Sequence, residues 1–445
     1  MPLKRNAIDQ LICWKTEANR LPVLLKGAKG VGKTFLAYDY AKAFFQHIYY
    51  INFEREPQLA ELFHETGEKA PGYRLMDYFQ KEVPQEEGAQ TEEEKPLGDR
   101  VLILDEISFS REAMTAVQEG RLQPVFEYII VISSHPLPEE LSRNYIQLSI
   151  RPLEFDEFLK AIGSDWYVEA IANHFQADKK MPEIVHKELL ALYQLYLQIG
   201  GMPGSINEYL NLQSSVNVSE QHSFINGSYR RDILRDNNDS DALKMNQVLD
   251  SLVYQLMKDN RKFQYKIIRK GTTHTMYREA IHRLCEQNYT IRCSRISPEQ
   301  LTQPSQSQPS PDASSFYEDG ENTNFKLYLP DTGVLYSQLV EVQGKENMNK
   351  YEKVLHENCV AQSLSAKNDL FFFWESNSTA KVDFILLRDG ELLPIEIFTG
   401  ENTRSKSISV LKQNCAFPYS IKISSRNFEF TNDTKYVPYY AVFCI

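Results

Sequence analysis

The sequence predicts an α/β chain: a parallel-sheet core, a helical region, and a second strand-rich α/β unit. Three observations predict it. Five apolar runs, PVLLKG, HIYYINF, VLILDE, YIIVISS and NYIQLSI, recur through residues 22–150 at the spacing of strands alternating with helices. Continuous apolar runs mark strands buried on both faces, as in a parallel sheet covered by helices. From 156 to 250 the pattern turns helical, and after residue 323 strand-like runs return.

Taken in order, residues 1–20 read as a short helix with Ile8, Leu11, Ile12 and Trp14 roughly on one side. The core strands follow, interrupted by KEVPQEEGAQTEEEKPLGD, whose six glutamates (Glu82, Glu86, Glu87, Glu92, Glu93 and Glu94) read as a solvated loop. PEIVHKELLALYQLYLQ is helical and stops at IGGMPGS, where Gly200 and Gly201 can end a helix and Pro203 bars its continuation. Residues 298–316, rich in Ser, Pro and Gln, carry too little apolar surface to fold and read as a mobile linker. FKLYL, LFFFW, KVDFILL, LLPIEIF and YSIKI then read as strands, with a helix at EKVLHENCVAQSLS. No internal repeat is evident.

Bulk properties exclude several classes. The 445 residues carry 49 Lys plus Arg against 60 Asp plus Glu, a net charge of −11. Such a chain is no general polyanion binder, so any nucleic-acid contact needs a local basic patch. The six cysteines are scattered without a C-x-x-C pair, which favours reduced thiols over a zinc site or disulfide framework. The N-terminus has no apolar signal core, and no run of about 18 apolar residues occurs. The expectation is a soluble, cytoplasmic protein that engages no membrane.

GAKGVGKT, Gly27 to Thr34, fits G-x-x-x-x-G-K-[ST] between an apolar run and a helix, the context a phosphate loop requires. The cradle comprises Gly27, Ala28, Lys29, Gly30, Val31, Gly32, Lys33, Thr34 and Phe35. Its glycines let backbone amides wrap phosphate, and the following helix presents its positive end. Lys33 is expected at the β- and γ-phosphates and Thr34 on Mg2+. VLILDE supplies Asp105 for the magnesium shell and Glu106 to polarise the attacking water. The intervening strand IYYINF fits the branch of P-loop ATPases with a catalytic Glu, in which an extra strand separates the two motif strands. Ser133 and Ser134 read equally as a γ-phosphate sensor or as strand caps. Arg111, Arg143 and Arg151 are candidate phosphate-neutralising arginines.

LKGAKGVGKT, INFE, LILDEI, RPLEFDEFL, YLQIGGMP, FKLYLPDTGVL, ENCVAQSL and VDFILLRDGELLPIEI stand in the order of a large prokaryotic family, which the chain resembles over essentially its whole length. That resemblance implies an AAA-type P-loop ATPase core (1–155), a helical lid (156–240), a winged-helix-like segment (241–297), the linker (298–322) and a C-terminal restriction-endonuclease-like domain (323–445). It implies ATP and Mg2+ as ligands more firmly than a biological role.

Between Lys258 and Arg295 ten Lys/Arg face three Asp/Glu, a local +7. The segment reads as helix, turn at Gly271, helix and strand, with Tyr277, Ile281 and Leu284 lining one side of the second helix. A basic second helix beside a turn is the kind of element that lies in a DNA major groove. Candidate contacts are Lys270, His274, Arg278, Arg292 and Arg295, with His282 on the same exposed side; a packing module with solvated charges is the alternative. In the last domain, Glu357, Asp383 and Glu396 resemble the metal-binding carboxylates of restriction-type nucleases. The lysine expected two residues after Glu396 is replaced by Phe398, so cleavage is not expected. Lys406 is the candidate substitute, and Arg404 or Lys406 a candidate partner for Glu396. The expected function is a Mg-dependent ATPase gating a module that acts on nucleic acid. The alternatives are an active ATP-regulated nuclease and a switch that binds only protein partners.

Overall fold

The computed structural model describes residues 3–17, 20–64, 69–82, 100–142, 144–212, 218–296, 324–367, 370–376 and 379–445. The acidic run beyond Glu82, the expected linker and Arg143 lie outside the described residues. The chain divides into two compact units, Met1–Arg151 and Pro152–Ile445.

Unit 1 runs α1 (Ala7–Thr16), β1 (Val23–Lys26), α2 (Lys33–Phe44), β2 (His47–Asn52), α3 (Pro71–Glu82), β3 (Arg100–Asp105), α4 (Arg111–Gln118), β4 (Tyr128–Ser133), α5 (Glu139–Ser142) and β5 (Ile146–Ser149). Its five strands form an all-parallel sheet in the order β2-β3-β4-β1-β5. The strand lying between β1 and β3 is therefore β4, and β2 pairs on the outer side of β3. Every residue of β3 and β4 is buried, as their unbroken apolar runs require. Ser110 caps α4 by accepting from Ala113 N–H at 3.1 Å. That helix packs Ala113, Met114 and Val117 in one cluster with Leu24, Ile51, Leu102, Leu104 and Val131. In α1, Leu11 and Trp14 are buried, whereas Ile12 is exposed.

Unit 2 begins with helices α6 (Phe155–Ala161), α7 (Trp166–Ala177), α8 (Glu183–Ile199), α9 (Pro203–Leu212), α10 (Val218–Asp236), α11 (Asp239–Leu256), α12 (Tyr265–Ile268) and α13 (His274–Glu286). Then come β6 (Ile291–Arg295), β7 (Phe325–Tyr328), α14 (Thr332–Gln343), α15 (Glu352–Ala366), β8 (Leu370–Glu375), β9 (Lys381–Arg388), β10 (Glu391–Ile397), α16 (Ser407–Leu411), β11 (Ser420–Ser424), β12 (Glu429–Thr431) and β13 (Thr434–Pro438). The strands form one eight-stranded mixed sheet, β12-β13-β11-β10-β9-β8-β6-β7. The strand that closes the basic helix pair, β6, thus lies between β7 and β8 in this sheet. Domain boundaries at 297 and 323 fall between hydrogen-bonded strands, so the basic segment and the C-terminal sheet share one fold. Pro203 opens α9 as its first residue, where its missing N–H costs nothing.

The ordered motifs of unit 2 converge in a buried polar knot. Asp331 accepts from Gly201 N–H at 2.6 Å and from Val334 N–H at 3.0 Å. Gln362 donates to Tyr196 OH at 3.0 Å, and Tyr196 OH donates to Leu153 O at 2.7 Å. Asn358 is paired both ways with the Leu329 backbone, at 2.9 and 3.0 Å. These bonds explain why α15, buried throughout Val354–Leu364, carries the amides Asn358 and Gln362 among its apolar residues. A Cβ on Gly201 would stand 2.1 Å from Leu153 O. Gly201→Ala is expected to destabilise the unit 2 transition by about 1–3 kcal/mol, read by urea unfolding.

Candidate functional site

The phosphate loop joins β1 to α2. Parallel register sets Lys26 beside Ser133 and Asn52 beside Asp105, so the carboxyl ends of β1, β2, β3 and β4 meet on one edge. Gly32, the N-cap of α2, has φ of 91°, and a Cβ on Gly27 would stand 2.1 Å from Ile150 O. Both positions therefore require glycine. Lys33, nearly fully buried, donates to Gly27 O at 2.9 Å, Ala28 O at 3.0 Å and Ser134 Oγ at 2.9 Å. The loop is thus closed around its own ammonium. Lys29 pairs with Glu54 at 3.0 Å, and Phe35 is exposed.

Asp105 Oδ2 accepts from Thr34 Oγ1 at 2.9 Å, Tyr50 OH at 2.7 Å and Asn52 Nδ2 at 3.2 Å. Its Oδ1 is buried with no hydrogen-bond partner among the described residues. An orphaned carboxylate oxygen beside a threonine hydroxyl fits a hydrated Mg2+, because leaving it bare costs free energy that a cation or its water recovers. Burial, with the Asp105 contact, pushes the Tyr50 hydroxyl up to about 12, so it remains a donor.

Glu106 adopts a left-handed backbone, φ 51°, rare for a residue with a long side chain. Strain of this kind concentrates at functional sites. Glu106 Oε2 accepts from Ser134 N–H at 3.0 Å, and Oε1 accepts from the Ser134 hydroxyl. Ser134 therefore bridges Lys33 and Glu106. Ser133 instead bonds the His135 backbone through its hydroxyl, at 2.6 and 3.2 Å, as a strand cap. Of the two serines the site contains Ser134. Among the arginines, Arg111 is exposed, and burial lowers Arg151 to about 10. Sequence reasoning missed Tyr50 and Asn52; their signal was two polar groups at period 2 on the strand paired with the Asp105 strand.

The carboxylates of unit 2 lie close together, but with different partners from those expected. Glu357 is fully buried; Arg261 Nη1 is 2.9 Å from Oε1, Lys353 3.7 Å from it, and Lys326 3.9 Å from Oε2. Asp383 Oδ2 accepts from Ile397 N–H at 2.8 Å, and its Oδ1 is 3.3 Å from Lys353. Glu396 accepts from Ser405 Oγ at 2.5 Å and has Lys422 at 4.0 Å, so its partners are neither Arg404 nor Lys406. Lys422 also sits 5.5 Å from the Phe398 ring centre. Among the described residues no three His, Cys, Asp or Glu are placed to hold a metal ion.

Of the basic segment, Lys270 and Arg278 are exposed on and before α13. His274 is half-buried with its edge on Tyr265; burial, then Arg278 and Arg292, lower its pKa. Arg292 lies 4.4 Å over the Phe325 ring, Arg295 donates to Glu375 O at 3.1 Å, and His282 is 3.2 Å from Glu286. Tyr277, Ile281 and Leu284 are buried as the periodicity requires.

The parallel sheet and the phosphate loop have the form of a P-loop nucleotide-binding core, and residues 19–159 match the family described as an AAA domain. Residues 190–345 and 353–442 match two domains of unknown function, DUF8612 and DUF4143 respectively. No curated protein matches the chain. Among solved structures, a Walker-type ATPase of Pyrococcus abyssi is similar at 14% identity and TM-score 0.41, covering 76% of this chain and 95% of that one. The ORC1 protein of Aeropyrum pernix in complex with DNA is similar at 13% and 0.30, covering 77% and 93%. A signal-transduction ATPase of Pyrococcus horikoshii with a tetratricopeptide-repeat sensor is similar at 14% and 0.28, covering 82% and 46%. Among the described residues no helix is long and apolar enough to cross a membrane.

Proposed function

We propose that this ATPase is Mg2+-dependent and that its nucleotide state governs how unit 2 engages nucleic acid. The observation that carries the hydrolytic part is the Lys33–Ser134–Glu106 bridge beside the orphaned oxygen of Asp105. Thr34 and Asp105 would hold Mg2+, which neutralises phosphate charge when bound. Tyr50 and Asn52 hold Asp105 in place. Lys33 carries positive charge to the phosphates, and Glu106 takes the proton of the attacking water. Ser134 orients Glu106 and senses the occupant of the loop through Lys33.

The local +7 of the basic segment supports the nucleic-acid part. Wild-type affinity for a short duplex should fall steeply with salt. Lys270→Ala with Arg278→Ala should weaken it and reduce the log–log slope by about 2, since each neutralised phosphate contributes about 0.9. Absence of binding at low salt would favour a switch acting only on protein partners.

The carboxylate site of unit 2 is read as degenerate. Asp383 and Glu357 spend oxygens on Lys353, Arg261 and a backbone amide, while Glu396 keeps one buried oxygen, Oε2, without a hydrogen bond among the described residues, and no lysine stands two residues after it. No metal-dependent cleavage of DNA is expected; robust cutting lost in Asp383→Ala would contradict this.

A further inference from the structure

Unit 1 carries a side chain that the phosphate chemistry leaves unused. Arg5 precedes α1, and the two arms of its guanidinium donate to different backbone carbonyls: Nη1 to Val31 O at 2.9 Å and Nη2 to Arg151 O at 2.6 Å. Val31 is a buried residue in the middle of the phosphate loop, and Arg151 is the last residue of unit 1. The root of this strap is fixed. Ile8 N–H donates to Arg5 O at 3.1 Å where α1 begins, and the Tyr40 hydroxyl on α2 donates to Leu11 O of α1 at 2.8 Å.

We propose that Arg5 is a positioning residue that straps the phosphate loop to the joint at Arg151, so that filling of the loop by nucleotide is passed to the chain entering unit 2. This rests on the nucleotide-binding reading above and names a route for its regulation.

Arginine suits this task because its planar fork holds two acceptors at a fixed separation, which the point charge of a lysine does not. The bond to Val31 O also orients the Val31–Gly32 peptide. In a trans peptide the Gly32 N–H then points away from Arg5, at the N-cap of α2. The segment at the joint touches the loop a second time. Ile150 N–H donates to Lys26 O at 2.7 Å, and Ile150 O lies so close to Gly27 that a Cβ there would stand 2.1 Å from it. Lys33 holds Gly27 O and Ala28 O, so a phosphate that draws this ammonium away frees two carbonyls at the start of the loop, beside Ile150. Past the joint, Leu153 is fixed within unit 2: its N–H donates to Gly201 O and its carbonyl accepts from Tyr196 OH, each at 2.7 Å. Only Pro152 stands between Arg151 and Leu153 in the chain, and its ring fixes φ, so little slack is left to absorb a shift.

The test is amide hydrogen exchange of the full chain with and without saturating ATPγS and Mg2+, beside equilibrium binding of the same analogue. In wild type, the analogue is expected to slow exchange in the loop, residues 27–34, and also at the amides of Ile150, Arg151 and Leu153. Arg5→Ala is expected to bind the analogue about 3–10-fold more weakly, the worth of one ordinary hydrogen bond. At saturation its loop should still be protected, while the response at residues 150–153 is lost. A residue that merely anchored the N-terminus would leave that response in place, and a full response in saturated Arg5→Ala would overturn the strap. Should Arg5→Ala fail to fold, Arg5→Lys decides: it keeps the charge but cannot span both carbonyls, so a reduced response is expected and a full one contradicts the bridge. ATPγS that protects the wild-type loop without changing residues 150–153 would overturn the strap and leave the nucleotide-binding reading standing. Failure of wild type to bind ATPγS would overturn both.

Discussion

Glu106→Gln is expected to keep nucleotide binding and lose about 10²–10⁴-fold in ATP turnover, the usual contribution of a general base. Lys33→Ala is expected to abolish binding itself. The two side chains meet at Ser134 yet do different work. Lys33 closes the loop through two of its carbonyls, so its charge belongs to the cradle. Glu106 is held by the Ser134 amide and hydroxyl in a left-handed backbone, a strain of the kind that gathers at functional sites. Gln keeps that shape and can still bond Ser134, but it cannot take a proton. Equilibrium binding of a fluorescent ATP analogue and phosphate release separate the two effects. Wild-type turnover in Glu106→Gln would remove Glu106 from the mechanism.

Glu357→Ala should give the largest loss of stability, about 3–5 kcal/mol, the cost of breaking a buried ion pair from one side. The carboxylate is wholly buried under Arg261 with Lys326 and Lys353 nearby, and its removal leaves these cations uncompensated. Combining Glu357→Ala with Arg261→Gln should cost less than the sum of the two single changes, because the pair then disappears together. Urea unfolding of the four-member cycle reads the coupling. Additive losses would show that Glu357 acts through packing alone.

The geometry of the candidate phosphate site was legible because its residues are local in sequence. Gly27, Gly32, Lys33 and Thr34 lie within eight residues, and Asp105 ends an apolar strand. What distinguishes Ser134 from Ser133 is the direction each takes as β4 ends, which no spacing encodes. Tyr50 and Asn52 reach Asp105 only once β2 and β3 pair in register. The second unit was legible as elements but not as a sheet. A strand beside a basic helix reads as its wing, yet β6 finds partners on strands from Phe325 onward and from Leu370 onward. Long-range pairing of this kind leaves little local trace. Lys353 was hidden for a related reason. Its helical spacing to Glu357 is visible, but its approach to Asp383 depends on where α15 packs.

The central claim is that nucleotide state and nucleic-acid engagement are linked. The direct measurement is duplex affinity of Glu106→Gln at one salt concentration, with Mg·ATP, with Mg·ADP and without nucleotide. The account predicts that the ATP and ADP states differ by at least about fivefold, the lower end of ordinary coupling free energies. Equal affinity in all three states, with nucleotide shown to be bound, would contradict it.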